Sequence, residues 1–329
     1  MEDKNKILEI FYRIKGRGSK NTLEQYQRNL DTFFNFLDKN YEVDYLNIKA
    51  YMLIDFEDYI SKNKFQDRRY KEEHLIELSM ETKYSLMKSV SGLYSWLYEN
   101  DYITKDLAKG IDLKKFKSKE HHDIYLNRES VKLLIQYLND DSFKIKRNRC
   151  EDFNKSRDLF AYALLTKYGN RIGELQTLTF SDLDLLNNKI TIKAENRKNK
   201  TQLINKLDGQ IKEFYNKYML ERKKRGITSD LIYTSQNGKP LYRSNINNGL
   251  RKRLKESNIY AESIGSNTRI ENIDDMTIHK LRHTSAYLMI GNGVPIEQVA
   301  SVLGQKQVIS VTKSIYGHTN NMEIDTVQL

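Results

Sequence analysis

Leu23, Tyr26, Leu30, Phe33, Phe34 and Leu37 recur at spacings of three and four, just after Ser19 and Asn21, which are both good N-cap types. That period predicts a helix with a single apolar stripe. The same reasoning predicts a second helix over 48–62, with Tyr51, Ile54, Phe56 and Ile60 between acidic residues. A third is predicted over 82–98, with Met87, Val90, Leu93, Tyr94 and Leu97 on one side. A short fourth helix around Lys105 would complete a small bundle. Residues 112–123 hold four lysines and read as a linker, in which His121 and His122 are solvated neighbours. Beyond it, a helix is predicted after Asn127, with Ser130 as another cap candidate, and a buried helix over 157–167. Residues 189–193 alternate apolar and polar, 201–205 form another short strand, and the polar turn between them predicts a β-hairpin. A helix over 209–225, a strand over 231–234 and helices over 244–256, 279–291 and 296–303 follow. The chain therefore reads as mainly α with a small β-sheet. Its divisions are an N-terminal helical domain over 1–111, a basic linker over 112–123 and an α+β domain over 124–329.

Charge changes this picture. The 329 residues carry 55 Lys+Arg against 44 Asp+Glu, a net of +11. Residues 1–120 contribute 22 basic and 21 acidic residues, and 121–329 contribute 33 and 23. An excess confined to one part of the chain points to a polyanionic partner, nucleic acid or an anionic surface. Composition also excludes classes. No run of about 18 apolar residues is present, the charged opening does not read as a secretory leader, and 39% hydrophobic residues is too many for a disordered chain. The single Cys150 offers neither an internal disulfide nor a zinc cluster. An intracellular, cytoplasmic protein is expected.

Several chemistries find no motif. There is no phosphate-cradling G-x-x-x-x-G-K-[ST], no G-x-G-x-x-G after a strand and no G-x-S-x-G elbow. The acidic pairs Asp182/Asp184 and Asp274/Asp275 lack a third carboxylate to cage Mg²⁺ and read as caps or turns.

Three segments remain. In the first, Gly169-Asn170 closes one helix and Arg171 opens another, where a guanidinium beside free N–H groups suits a phosphate, although pairing with Glu174 would also explain it. In the second, His279, Arg282 and His283 lie at i, i+3 and i+4 on one helix face, with Leu281 and Tyr287 turned to the core. Zinc is a poor match, because Lys280 follows His279 and Arg282 would repel a cation. The third is Leu303-Gly304-Gln305, followed by Tyr316-Gly317-His318.

In this order the segments resemble the tyrosine recombinase (phage integrase) family. Its T-G-x-R-x-x-E-L pattern is met by Tyr168 through Leu175 with Tyr for the usual Thr. The H-x-L-R-H box is complete at 279–283. L-G-H appears as Leu303-Gly304-Gln305, and Y-x-H as Tyr316 to His318. The hairpin with its Lys-rich turn and the N-G-K-P turn also look like family members.

The resemblance implies that Tyr316 is the nucleophile, forming a 3′-phosphotyrosine link. Arg171, Arg282 and His279 would hold the phosphate oxygens, and His279 would also help remove the tyrosine proton. A hairpin lysine would protonate the leaving 5′ oxygen: Lys198 first, Lys200 second, with Arg197 sharing the turn. Gln305 stands where His is common, and would donate a hydrogen bond without carrying charge. Neither cofactor nor metal is expected, because the phosphotyrosine retains the bond energy. The family implies a SAM-like helical core-binding domain and a catalytic domain forming a C-shaped clamp on double-stranded DNA. It also implies a tetramer on two sites, with accessory DNA-bending or directionality proteins as further partners and a nucleoid location. With about 18 residues before the first helix, no additional arm-site domain is expected, and the tail 319–329 allows at most two or three helical turns for docking on a neighbour. Integration and excision of a mobile element is the leading role. Dimer resolution by the same chemistry, type IB topoisomerase-like relaxation and a decayed DNA-binding protein are the competing readings.

Overall fold

The computed structural model describes residues 4–17, 19–66, 73–117, 125–145, 150–197 and 201–303. Lys198, Lys200, Gln305, Tyr316, His318, the adjacent His121 and His122, and the tail 319–329 lie outside the described residues. The chain divides into two compact units, Met1–His121 and His122–Leu329.

The first unit is a helical bundle of α1 (Lys4–Gly16), α2 (Lys20–Tyr41), α3 (Ala50–Lys62) and α4 (Met80–Glu99), with a two-stranded hairpin, β1 (Lys64–Gln66) and β2 (Leu75–Glu77). The stripe on α2 buries Leu30, Phe33, Phe36 and Leu37. Phe33 meets Phe56 of α3 with ring centroids 4.9 Å apart and stands edge-on to Tyr94 of α4 at 6.0 Å. One polar residue pins this core: buried Asn29 donates to the Ser85 carbonyl and to the hydroxyls of Ser85 and Ser89.

Four details depart from the sequence reading. Helix α1 occupies the opening, where the sequence reading places no helix. Its charged residues face solvent, while Ile7 and Phe11, one turn apart, are buried against α2 and α4. On α3 the buried set is Met52, Leu53, Phe56 and Ile60, whereas Tyr51 and Ile54 are exposed. The helix expected at Lys105 is a 3-10 turn, Leu107–Gly110, capped by Asp106. A second 3-10 turn, Leu113–Phe116, buries Phe116 in the bundle core, so the first part of the 112–123 segment is packed rather than free linker.

The second unit is built around α6 (Glu151–Tyr168), which follows α5 (Arg128–Asn139). From Phe153 to Leu165, α6 is buried on every face, as expected for a central helix. It is enclosed by α5, α8 (Gly209–Lys224) and α10 (Ile278–Gly291). The short α7 (Ile172–Gln176) leads into an antiparallel sheet of β3 (Leu183–Asp184), β4 (Lys189–Ile192) and β5 (Leu203–Lys206), in the order β3-β4-β5. Its central register pairs Ile190 with Asn205 and Ile192 with Leu203. The helices α9 (Arg243–Ser263) and α11 (Ile296–Leu303) complete the unit.

The expected hairpin is present, and β3 adds a strand that was not anticipated. Residues 231–234 form isolated bridges, Thr179 to Leu231 and Thr234 to Pro240, instead of the expected strand, because each end finds a different partner. Asp182 and Asp184 act as turn residues: Asp182 accepts from the backbone N–H and hydroxyl of Thr179, and Asp184 accepts from Asn187. Asp274 pairs with Lys255.

Candidate active site

The site grows from the end of α6. Gly169 caps the helix in the left-handed region, φ +62°, where its N–H bonds to the Leu165 carbonyl. The position also needs glycine sterically, since a Cβ would lie 2.4 Å from Leu303 Cδ2 and 3.1 Å from Ser285 Oγ. Three elements therefore meet at one small residue: the end of α6, the middle of α10 and the end of α11.

Arg282 uses this convergence. It is 5% exposed, and its guanidinium donates through Nη1 to the Gly169 carbonyl at 2.5 Å and through Nη2 to the Leu303 carbonyl. Helix C-terminal carbonyls carry partial negative charge and lack intrahelical partners, so an Arg here satisfies two ends at once. The HKLRH face is consequently not uniform: Arg282 turns inward, while His279 is exposed. The rings of His279 and His283 stand edge-to-face, centroids 5.1 Å apart.

Two residues beyond Gly169, Arg171 is the N-cap of α7. The buried Glu174 carboxylate accepts from the Arg171 backbone N–H at 2.8 Å and from its Nη1 at 3.1 Å. The pairing weighed from sequence is thus present. Yet 26% of the Arg171 side chain stays exposed, against 1% for Glu174. Because α7 has only five residues, its dipole adds little, and the guanidinium carries the positive charge.

Arg197, just before the hairpin turn, approaches the same carboxylate, with Nε 3.3 Å from Glu174 Oε1 and Nη1 donating to the Thr201 carbonyl at 3.0 Å. His279 feels these charges. Desolvation first, then His283, Arg282, Arg243 and Arg171, pull its imidazole down to about 4. His279 is therefore neutral at pH 7, with one nitrogen to donate and one to accept.

Among the described residues, then, Arg171, His279 and Arg282 are brought into one electrostatic neighbourhood around the end of α6. No cluster of three or more His, Cys, Asp or Glu that could hold a metal occurs among those residues, and no described helix is long and apolar enough to cross a membrane. Two features were not foreseen from sequence. The pairing of Glu174 with Arg171 was expected, but its hold on a second arginine, Arg197, was not. Arg243 had no local signal at all.

A family model described as the phage integrase family matches residues 125–323. The chain belongs to that family. A tyrosine recombinase XerC of Staphylococcus carnosus (strain TM300) is 25% identical over 329 residues, covering 99% of this chain and 96% of its own. Among solved structures, the XerH site-specific recombinase bound to palindromic difH substrate, a post-cleavage complex, matches with a TM-score of 0.66 at 19% identity, over 95% of this chain and 81% of its own. The Tn1549 transposon integrase in complex with circular intermediate DNA matches at 0.65 and 15%, over 94% of each chain. At those identities the structural likeness concerns the fold. The protein is a tyrosine recombinase, an enzyme class that breaks and rejoins DNA strands by transesterification.

The protein departs from the family's first box at Tyr168, and packing accounts for the change. The phenol donates to the Lys206 carbonyl of β5, and burial raises it to about 12, so it serves as a strut from α6 to the sheet.

Proposed function

We propose that this recombinase cuts and rejoins DNA at specific sites through Tyr316. The Tyr316 oxygen bonds to the scissile phosphorus as the bond to the 5′ oxygen breaks. That oxygen leaves with a proton from Lys198, or from Lys200 in its stead. The burial of Arg197 and its pairing with Glu174 support a lysine for this task. Arg171 and Arg282 would hold the non-bridging oxygens as negative charge grows on them, a role in which fixed cations are worth several kcal/mol. Neutral His279 would accept the tyrosine proton or donate to the phosphate. Gln305 would add one uncharged hydrogen bond.

The observation that carries this reading is the bond from Arg282 to the Gly169 carbonyl, which ties the second box to a point two residues before Arg171. The test is a suicide substrate, a duplex nicked so that the cleaved end diffuses away. A covalent protein–DNA adduct should form with the wild type and vanish in Tyr316→Phe while DNA binding persists. Failure to form an adduct on any duplex, with binding intact, favours the decayed DNA-binding protein. Relaxation of a plasmid without a cognate site favours a topoisomerase. Gln305→Ala should slow cleavage.

Double-stranded DNA is the proposed partner, supported by the basic excess of residues 121–329. Replacing single Lys or Arg residues that touch phosphates should flatten the salt dependence of binding by about one unit each. A tetramer on two sites is proposed from the family resemblance, and mass photometry on paired sites tests it. For the biological role we propose integration and excision of a mobile element, on the strength of Gln305 and the Lys-rich composition. The full-length match to relatives named XerC favours a second reading, dimer resolution. Recombination between sites cloned from the flanks of the gene, compared with sites from the host chromosome, separates the two.

A further inference from the structure

The Glu174 carboxylate holds two guanidiniums, not one. Arg171 Nη1 lies 3.1 Å and Arg197 Nε 3.3 Å from the same oxygen, Oε1. Their surroundings differ sharply: the Arg197 side chain is 3% exposed and that of Arg171 26%. One donor of Arg197, Nη2, is buried with no hydrogen-bond partner among the described residues. An unpaired buried donor lowers stability. A residue kept in such a place, between a β-strand and the first box, calls for a use beyond holding the fold.

We infer that Arg197 is a positioning residue that neutralises Glu174 from the buried side, leaving the charge of Arg171 available to the scissile phosphate. The physical argument is charge balance. Arg171 and Glu174 alone make a neutral pair, and a buried carboxylate with a single partner draws that partner into full ion pairing. With Arg197 on the inner side, the trio carries a net positive charge, displayed by its exposed member. Arg197 also donates to the Thr201 carbonyl, two residues before β5, which fixes its approach to Glu174. Arginine suits this better than lysine, because one planar group reaches both acceptors in fixed directions.

The inference rests on the recombinase reading, and the full-length protein tests it by suicide-substrate cleavage under single-turnover conditions. Arg197→Gln should cleave at least about tenfold more slowly. Glu174→Gln/Arg197→Gln should recover much of that loss, because without the carboxylate charge Arg171 is released again. A substrate with an uncharged methylphosphonate at the scissile position should shrink the Arg197→Gln defect, since less charge must then be met by Arg171. Arg197→Lys, which retains the charge, should stay within a few-fold of wild type, and it serves as the test if Arg197→Gln does not fold. Wild-type cleavage by Arg197→Gln, a double variant no faster than the single one, an undiminished defect on methylphosphonate, or a folded Arg197→Lys that has lost cleavage would each overturn the inference. If the wild type forms no adduct, the recombinase reading fails instead.

Discussion

Arg282 Nη1 donates to the carbonyl oxygen of Gly169 at 2.5 Å, across 113 residues of sequence. The same guanidinium donates to Leu303, the last residue of α11. One side chain thus closes two helix ends, that of α6 at Gly169 and that of α11 at Leu303. Arg282→Lys keeps the charge but cannot span both carbonyls, leaving one buried acceptor unmet at about 1–3 kcal/mol. Cleavage should fall about 10²–10³-fold, the usual effect of removing one fixed donor from a developing charge. Single-turnover assays on nicked duplex check this, and cleavage near the wild-type rate would show that charge alone suffices.

Gly169→Ala should destabilise the second unit for two separate reasons. The left-handed backbone costs a Cβ-bearing residue about 1–2 kcal/mol, and the new carbon would overlap Leu303 Cδ2, with overpacking typically adding about 1–3 kcal/mol. Gly173→Ala is the internal contrast. It lies within α7, a Cβ there meets nothing within 4 Å, and alanine favours helix. Thermal melts should show a lower midpoint for the first variant only.

His279 should titrate far below an ordinary histidine, at about 4 rather than 6.5. Its folded-state value is depressed, so the folded protein resists a proton that the unfolded chain accepts. The stability tied to this group is present at neutral pH and is lost as pH falls from about 6.5 to 4. The pH dependence of kcat/KM for cleavage, which reports the free enzyme, should show no inflection near 6.5 from this residue. Imidazole resonances followed by NMR against pH, assigned with His279→Gln, measure it; titration at 6.5 would remove the argument for a neutral acceptor.

Arg253 tests the fold away from the site. This 2%-exposed side chain of α9 pairs with Glu151, Asp158 and Glu256, the first two on α6. Arg253→Met removes the common partner and strands buried carboxylates, with an expected loss of about 3–5 kcal/mol. Chemical denaturation reads the loss. Cleavage by the fraction still folded should be unchanged.

Much of this protein was legible in its residue order, because period and local chemistry act over a few positions. The stripe of Leu30, Phe33 and Leu37, the hairpin over 189–205 and the spacing of His279 to Arg282 are local facts, and the boxes around Arg171 and His279 named the chemistry. Even α1 was written in the spacing of Ile7 and Phe11, although its many charges masked it. What local order could not decide was which atoms meet across the chain. Arg282 looked like one of three cations on a common face, but packing of α6, α10 and α11 turned it inward onto two carbonyls. Arg171 and Arg197 looked like independent basic residues, and the buried carboxylate of Glu174 joined them. The neutral state of His279 likewise depends on desolvation by packed neighbours and on charges from α7, α9 and α10 converging on it. Helices and turns follow from neighbours within a few residues, whereas burial, ion pairing and the sharing of one carboxylate exist only once distant segments are packed together.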